Sequence, residues 1–465
     1  MACSRGPIDL NLAFHADRFA ACELVVPRIE GNSLDLALDS PGAVILGGSF
    51  CIVAAARNLA ERGVRVCVLG PATSPARFSR SVSDFARWPS ELKDDELPDY
   101  LLNIAEKRRM RGWALFPTCD EHLRIVAQHG PLLAERYALT TPPWETVRFL
   151  YDKRLTYTLA QEAGISVPPT YIPGNADRLA VLDVDFPVVI KPAITSHLLK
   201  TTNKKAFRAD NRQELQSLYR SLSRVIGPSE VIVQELLPKP ARNLYSFAGY
   251  FMQGEPLVGL SVKRTRQFPN DFGRTSTFVE TVEVPELREL ASQLLRACRY
   301  TGLAEIEFMW VEKRARFELL EVNARLWAWH GLAIAAGLDL PYVTFAHAVG
   351  QNPTLGVARH GIKWVRFLTD VRAAAQEIRT GTLSVRQYLT SLSGPTVSAI
   401  FSASDPMPCI AEPFLLLLDR LNRLASTSGA ALFHRPGFRG NNEFYGFERR
   451  DEVVKANKTD EGDAG

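Results

Sequence analysis

Hydrophobic positions change period several times along the chain, and each change marks an element. Ala43 to Leu46 is an unbroken apolar run; after Gly47-Gly48-Ser49, residues Ile52, Val53, Ala56, Leu59 and Ala60 follow helical spacing. With "VRVCVLG" behind it, this stretch predicts strand, glycine turn, helix, strand, the opening of a doubly wound α/β domain. "WALFPTCDEHLRIVAQHG" repeats the theme, with a strand that stops at Pro117 and a helix capped by Thr118 or Asp120. His122 and His129 read there as surface or core residues, not as ligands.

The texture changes near residue 150. "YDKRLTYTLAQEAGISVPPTYIP" is a helix closed by Gly164 and a proline-defined exit. "FPVVIKPA" is a β-branched strand ending in Lys191, "TSHLLKTTNKKAFRAD" a polar basic loop, "NRQELQSLYRSLSRVIG" an amphipathic helix and "EVIVQELLP" a strand. A hairpin turning at Gln253-Gly254 leads to a basic stretch, and the helix "ELRELASQLLRACRYTG" precedes strands around Glu307 and Glu321. "GIKWVRFLTDVRAAAQEIRTG" reads as a further α/β patch, "EPFLLLLDRLNRL" as a core or dimer helix in preference to an interfacial one, and "KANKTDEGDAG" as a disordered tail.

Composition narrows the class. A chain of 465 residues with 46% hydrophobic and 23% charged content suggests a soluble protein of several domains. The balance of 55 basic and 51 acidic residues argues against nucleic acid as a partner, although clusters at Lys200 to Lys205 and Lys263 to Arg266 suit a small anion. Seven scattered cysteines, without CxxC or zinc spacing, point to a reducing cytoplasm. Neither a signal peptide nor an apolar run of about twenty residues is visible, so no membrane span is expected. A dinucleotide-dependent oxidoreductase is disfavoured, because Phe50 and Val53 break the glycine pattern after Gly47.

The chemistry concentrates in two strands. "LAEIEFMWV" alternates with Glu305, Glu307, Met309 and Val311 on one face, and "ARFELLEVN" with Phe317, Leu319, Glu321 and Asn323 on one face. A turn centred on Arg314 sets Glu307 opposite Glu321. Two carboxylates at that spacing repel unless a cation separates them, and with Asn323 they form a hard-oxygen set suited to Mg²⁺ and a nucleotide triphosphate. A solvated strand face with Glu321 paired to Arg325 explains the hairpin equally well. Lys191 reads as a phosphate contact or as an exposed strand-end lysine.

In order, "DKRLTYTLAQEAGISVPPT", "FPVVIKPA", "VIVQELL", "GLAEIEF" and "ELLEVNAR" resemble the ATP-grasp superfamily, which includes D-alanine–D-alanine ligase and biotin carboxylase. "KKAFR", "EVNARLWAWHGLAIAAGLDLPY", "GIKWVRFLTD" and "SASDPMPCI" resemble the branch that contains D-aspartate ligase, and the likeness runs from about residue 40 to 412. It implies an α/β and α+β architecture: extension 1–39, Rossmann-like pre-ATP-grasp domain 40–140, small or lid domain 141–237, large domain 238–350 and C-terminal extension 351–465. It further implies an ATP-dependent ligase that activates a carboxylate as an acyl phosphate and joins it to an amine, with small-molecule substrates such as an amino acid, and room for a homodimer. A non-catalytic ATP-binding sensor or a carboxylase-type acceptor are the alternatives on this fold.

Carried over by position, Lys153, Lys191 and Lys205 would contact ATP phosphates, and Gln234, Glu235 and Leu237 would line the adenine pocket. Glu307, Glu321 and Asn323 would hold Mg²⁺ or Mn²⁺, and Arg325 would face the transferred phosphoryl group. Arg264, beside Lys263 and Arg266, is the first candidate for substrate recognition, and a solvated basic strand explains the stretch equally well. His330 reads as a packed core histidine in preference to a base for the amine. Two departures stand out: "AITSHLLKTTNKK" lacks the glycines many relatives have in the lid, and "PKPARN" offers Lys239, Arg242 and Asn243 where a ribose-binding acid is expected.

Overall fold

A computed structural model describes residues 40–429, apart from 90, 91, 203, 238–242 and 270–274, with side chains up to 421. The 1–39 extension, the polar tail, and Lys239 and Arg242 lie outside the described residues.

The first unit is a parallel sheet of β1 (Ala43–Leu46), β2 (Val66–Gly70), β3 (Asp84–Arg87), β4 (Trp113–Phe116) and β5 (Tyr137–Leu139), in the order β3-β2-β1-β4-β5. Both its faces are covered, which is why β1 and β2 are apolar at every position. Strand order reverses between β1 and β4, so the turns after these strands share one edge. Gly47 belongs to that turn for a steric reason. Its φ is +118°, and an added Cβ would lie 2.5 Å from Thr118 Oγ1. Thr118 is therefore used across the turn, donating to Leu46 O, and Cys119 takes the N-cap position of the helix Asp120–Gln128 without a side-chain cap. The expected cap at Thr118 or Asp120 does not form, and Asp120 instead accepts from Arg325.

The second unit is an antiparallel sheet of β6 (Thr170–Tyr171), β7 (Val188–Pro192), β8 (Phe207–Ala209) and β9 (Val231–Glu235), ordered β6-β9-β7-β8. The helix Arg212–Ile226 covers it through Leu215, Tyr219 and Leu222, and Asn211 caps that helix by accepting from Glu214 N. The segment expected as a basic loop is a helix, Thr195–Thr202, because Leu198 is drawn into the same core.

The third unit is a seven-stranded sheet, β14-β13-β10-β11-β12-β15-β16. Its strands are β10 (Leu244–Met252), β11 (Glu255–Phe268), β12 (Thr275–Val282), β13 (Gly302–Val311), β14 (Arg316–Asn323), β15 (Lys363–Val365) and β16 (Thr396–Ser398). The hairpin β10–β11 turns at Gln253 (φ 53°) and Gly254 (φ 88°), the positive pair that a two-residue turn of right-handed twist needs.

Two expected boundaries shift. The helices Trp144–Tyr151 and Lys153–Glu162 bury Val147, Phe149, Leu150 and Leu159 against Ile306, Phe308 and Leu319, so they pack on the third unit and not on the second. Beyond residue 350, β15 pairs antiparallel with β12 and β16 parallel with β15, so this part of the chain completes the large sheet. The reason is that Trp364 and Val365 are buried there, Trp364 in the core shared with Phe50 and Trp327.

Candidate active site

The hairpin β13–β14 builds the site. Its register sets Glu307 opposite Glu321 and Glu305 opposite Asn323. That pairing depends on a β-bulge. Phe308 pairs with Leu319 while Glu307 pairs with Glu321, which leaves Leu320 as the extra residue. The bulge also corrects the simple alternation. Phe317 and Leu319 face the apolar core with Ile306 and Phe308, whereas Leu320, Glu321 and Asn323 line the cleft between the second and third units. Without the extra residue Glu321 would point into that core.

Each carboxylate in the cleft is matched by a cation. Lys153 Nζ donates to Glu321 Oε1 at 2.8 Å and to Thr195 Oγ1 at 2.6 Å. Burial disfavours the Glu321 carboxylate, but Lys153, with Lys205 and Lys191, more than offsets that and holds its pKa well below the usual range. Arg264 Nη1 is paired with Glu307, and its Nε donates to Ser276 Oγ at 2.5 Å. Asn323 Nδ2 donates to Glu307 Oε1 (3.1 Å) and Glu305 Oε2 (3.2 Å), while Asn323 Oδ1 accepts from Arg325 Nη2 at 3.0 Å. Arg325 Nε reaches across to Asp120 Oδ1 at 2.6 Å. Glu321 is thus held by Lys153, and Arg325 binds the first unit to the hairpin instead of pairing with Glu321.

Lys191, at the end of β7, donates to Tyr157 Oη and Gln234 Oε1, both at 2.8 Å. Burial and the nearby Lys153 push its pKa down to about 7. Gln234 is buried, with its Nε2 donating to Thr170 Oγ1 at 2.6 Å. Glu235 pairs with Arg314 at 2.9 Å, Leu237 packs with Leu244 and Met309, and Lys205 lines the same cleft. Lys153, Lys191, Lys205, Gln234, Glu235, Leu237, Arg264 and the hairpin residues therefore converge on one cleft.

Neighbouring candidates separate from it. Arg266 is buried in a two-pronged pair with Asp370 (2.8 and 2.9 Å), which gives it a structural role. Lys263 lies over the Tyr245 ring. His197 Nδ1 is 2.8 Å from Glu230 Oε2. His330 is fully buried, with Nδ1 2.7 Å from Trp327 O, and burial pushes its pKa down to about 4, so it is a neutral core residue.

The residue most clearly missed by sequence reading is Glu305. It is 2% exposed and accepts from Ser246 Oγ (3.0 Å), Trp329 Nε1 (3.0 Å) and Asn323 Nδ2 (3.2 Å). Burial and Glu307 raise its pKa to about 7. The signal was present, since Glu305 alternates with Glu307. Tyr157 was also legible, because it stands four residues after Lys153 on one helix face.

Among the described residues, no three acidic, His or Cys side chains close on a point as an all-protein metal centre. Magnesium does not require one. It is commonly held by one or two carboxylates, with water and substrate phosphates completing the shell. Glu307, Glu321 and Asn323 supply such an open oxygen set, already neutralised by Lys153 and Arg264.

A family description, the ATP-binding domain of the carbamoyl-phosphate synthase L chain, matches residues 275–355, from β12 through the hairpin. D-aspartate ligase of Enterococcus faecium (strain Aus0004) is 22% identical over 299 residues, covering 61% of this chain and 70% of that protein. The biotin carboxylase domain of the Hydrogenobacter thermophilus 2-oxoglutarate carboxylase superposes with a TM-score of 0.55 at 14% identity, over 70% of this chain and 74% of that one. The L-amino acid ligase of Bacillus licheniformis gives 0.52 at 13% identity, over 67% and 74%. By its sheet topology, its hairpin and these likenesses, the chain has the ATP-grasp fold.

Proposed function

We propose that the protein is an ATP- and Mg²⁺-dependent carboxylate–amine ligase. The observation that carries this reading is the hairpin, which sets Glu307, Glu321 and Asn323 in one cleft with Lys153, Lys191 and Arg325. Three cations around an oxygen-rich strand pair suit a polyphosphate, and the apolar wall of Leu237, Leu244 and Met309 suits a purine. Glu307, Glu321 and Asn323 would hold Mg²⁺, or Mn²⁺ in its place, which would supply positive charge to the phosphates.

A carboxylate is a poor acylating agent. In the proposed reaction a substrate carboxylate oxygen attacks the γ-phosphorus, the bond to the β-phosphate oxygen breaks, and ADP leaves. The amine then attacks the acyl carbon of the acyl phosphate, inorganic phosphate leaves, and the amine loses a proton as the amide forms. The chain's own contribution is positioning and charge. Lys153 and Lys191 would hold phosphate oxygens, and Arg325, fixed by Asp120, would face the transferred group. Arg264 would meet the substrate carboxylate only by exchanging Glu307 for it, an exchange that a cation bound at Glu307 would favour.

The substrates are proposed to be small molecules, an amino acid among them, and D-aspartate is the first to try given the relative in E. faecium. The setting is proposed to be cytoplasmic; none of the five described cysteines is in a disulfide, and no described helix is long and apolar enough to cross a membrane.

The test is to incubate the protein with Mg-ATP and pooled carboxylic and amino acids, measuring ADP, AMP and phosphate, with Glu321→Ala as control. ADP and phosphate made only with particular substrates, and lost in the variant, support the ligase. AMP with pyrophosphate contradicts it. ATP binding without turnover in any pool favours a nucleotide sensor.

A further inference from the structure

The helix Met407–Gly429 is held through one face, against the turn Pro75–Phe78 of the first unit and against Arg366 just past β15. Glu412 forms a two-pronged pair with Arg366 (2.5 and 2.8 Å), both side chains buried, and Leu415 is buried beside it. On the other face stand Met407, Ile410, Phe414, Leu417 and Leu421, each between 48% and 66% exposed. Their spacing is 3, 4, 3, 4, the a/d pattern of a helix that packs against another helix. Leu418, 51% exposed, widens the stripe. The sequence continues the spacing with Leu424.

Beside the N-terminal half of this helix runs an apolar groove, lined by Phe367, Val371, Phe401 and Pro413. Three of these, Phe367, Val371 and Phe401, are also half exposed. The surface is therefore asymmetric along the helix. One end carries the groove, and the other carries the projecting Leu417, Leu418 and Leu421.

We propose that this face is the two-fold interface of a homodimer, with the helix lying antiparallel against its copy. Running the copy antiparallel places its C-terminal leucines over the groove, and the symmetry repeats the contact, as an isologous interface requires. The area agrees. Six stripe residues and three groove residues, at roughly 100 Å² of apolar surface each, reach the roughly 800 Å² per partner that a stable interface buries. An anionic membrane fits less well, because the segment 407–421 has no lysine and its charged groups are Glu412, Asp419 and Arg420.

The experiment is sedimentation velocity on the full-length chain at micromolar concentration, with a Phe414→Ser/Leu417→Ser variant and a Leu418→Ser/Leu421→Ser variant run beside it. Both pairs are exposed, so the melting temperature serves to show that the fold is kept. The expected result is a dimer that becomes a monomer in either variant, with little change in melting temperature. A wild-type chain that sediments as a monomer overturns the proposal, as does a dimer unaffected by both variants. Flotation with phosphatidylserine vesicles by a monomeric wild-type chain would assign the face to a membrane instead.

Discussion

Lys191 shows how a single side chain carries both structure and chemistry. It is held by Tyr157 and Gln234, and burial with the nearby Lys153 pushes its pKa down to about 7. A phosphate oxygen favours the charged form and lifts that pKa toward the ordinary lysine value. ATP binding at about pH 8 should therefore take up a proton, and below about pH 6, where Lys191 is already charged, it should not. Calorimetry in two buffers of different ionisation enthalpy measures the uptake directly. Lys191→Met should abolish it, and identical heats in both buffers would contradict this role. Glu305 acts at one remove, through Asn323 and Trp329. Glu305→Ala should leave ATP bound but raise the Mg²⁺ concentration needed by roughly tenfold or more, the usual cost of losing an outer-shell partner. An unchanged Mg²⁺ titration, read from nucleotide affinity, would remove Glu305 from the metal site. Both residues were visible in the sequence. The partners of Glu305 were not, because Ser246 and Trp329 come from elements that only folding brings together.

At the scale of elements, the sequence was legible wherever one period held and misleading where it broke. β1, β7 and the hairpin β10–β11 followed directly from apolar runs and a Gln-Gly turn. Strict alternation in β14 failed at Leu320, since one extra residue reverses the facing of everything before it. The helix Thr195–Thr202 was read as a loop because its helical content is modest and its anchor, Leu198, is a tertiary contact. That helix also reaches the first unit. Lys200 lies 3.5 Å from Asp94 and 3.6 Å from Glu121. Lys200 is 40% exposed, so the pairs are screened and contribute at most about 1 kcal/mol. Lys200→Ala should speed ATP release only a few-fold, with faster hydrogen exchange in 195–202. A hundredfold change would mean that the lid is held by this contact alone. The buried Arg366–Glu412 pair is a different case. Glu412→Ala removes the carboxylate that neutralises the buried Arg366 guanidinium and should destabilise the C-terminal helix by about 3–5 kcal/mol, measured by urea unfolding. A loss under 1 kcal/mol would show that water reaches Arg366.

For the whole molecule, the order of units was readable from the change in texture near residue 150, and the limits of those units were not. Helices that follow the first unit in sequence pack on the third, and strands past residue 350 complete its sheet. Apolar faces announce that they will be buried without saying against what. The consequence is a cleft walled by the second and third units, with Lys191 from one and Glu321 from the other, while Asp120 of the first unit pairs with Arg325, which lines it. Such a cleft is suited to a reaction in which one carboxylate oxygen passes to phosphate. The most direct measurement follows that atom. The protein is given Mg-ATP, an amine pool and amino acids labelled with oxygen-18 in their carboxylates, and the released phosphate is analysed by mass spectrometry. One labelled oxygen in the phosphate, equimolar with ADP and amide, is the predicted result. Unlabelled phosphate released alongside an amide product would contradict acyl-phosphate activation.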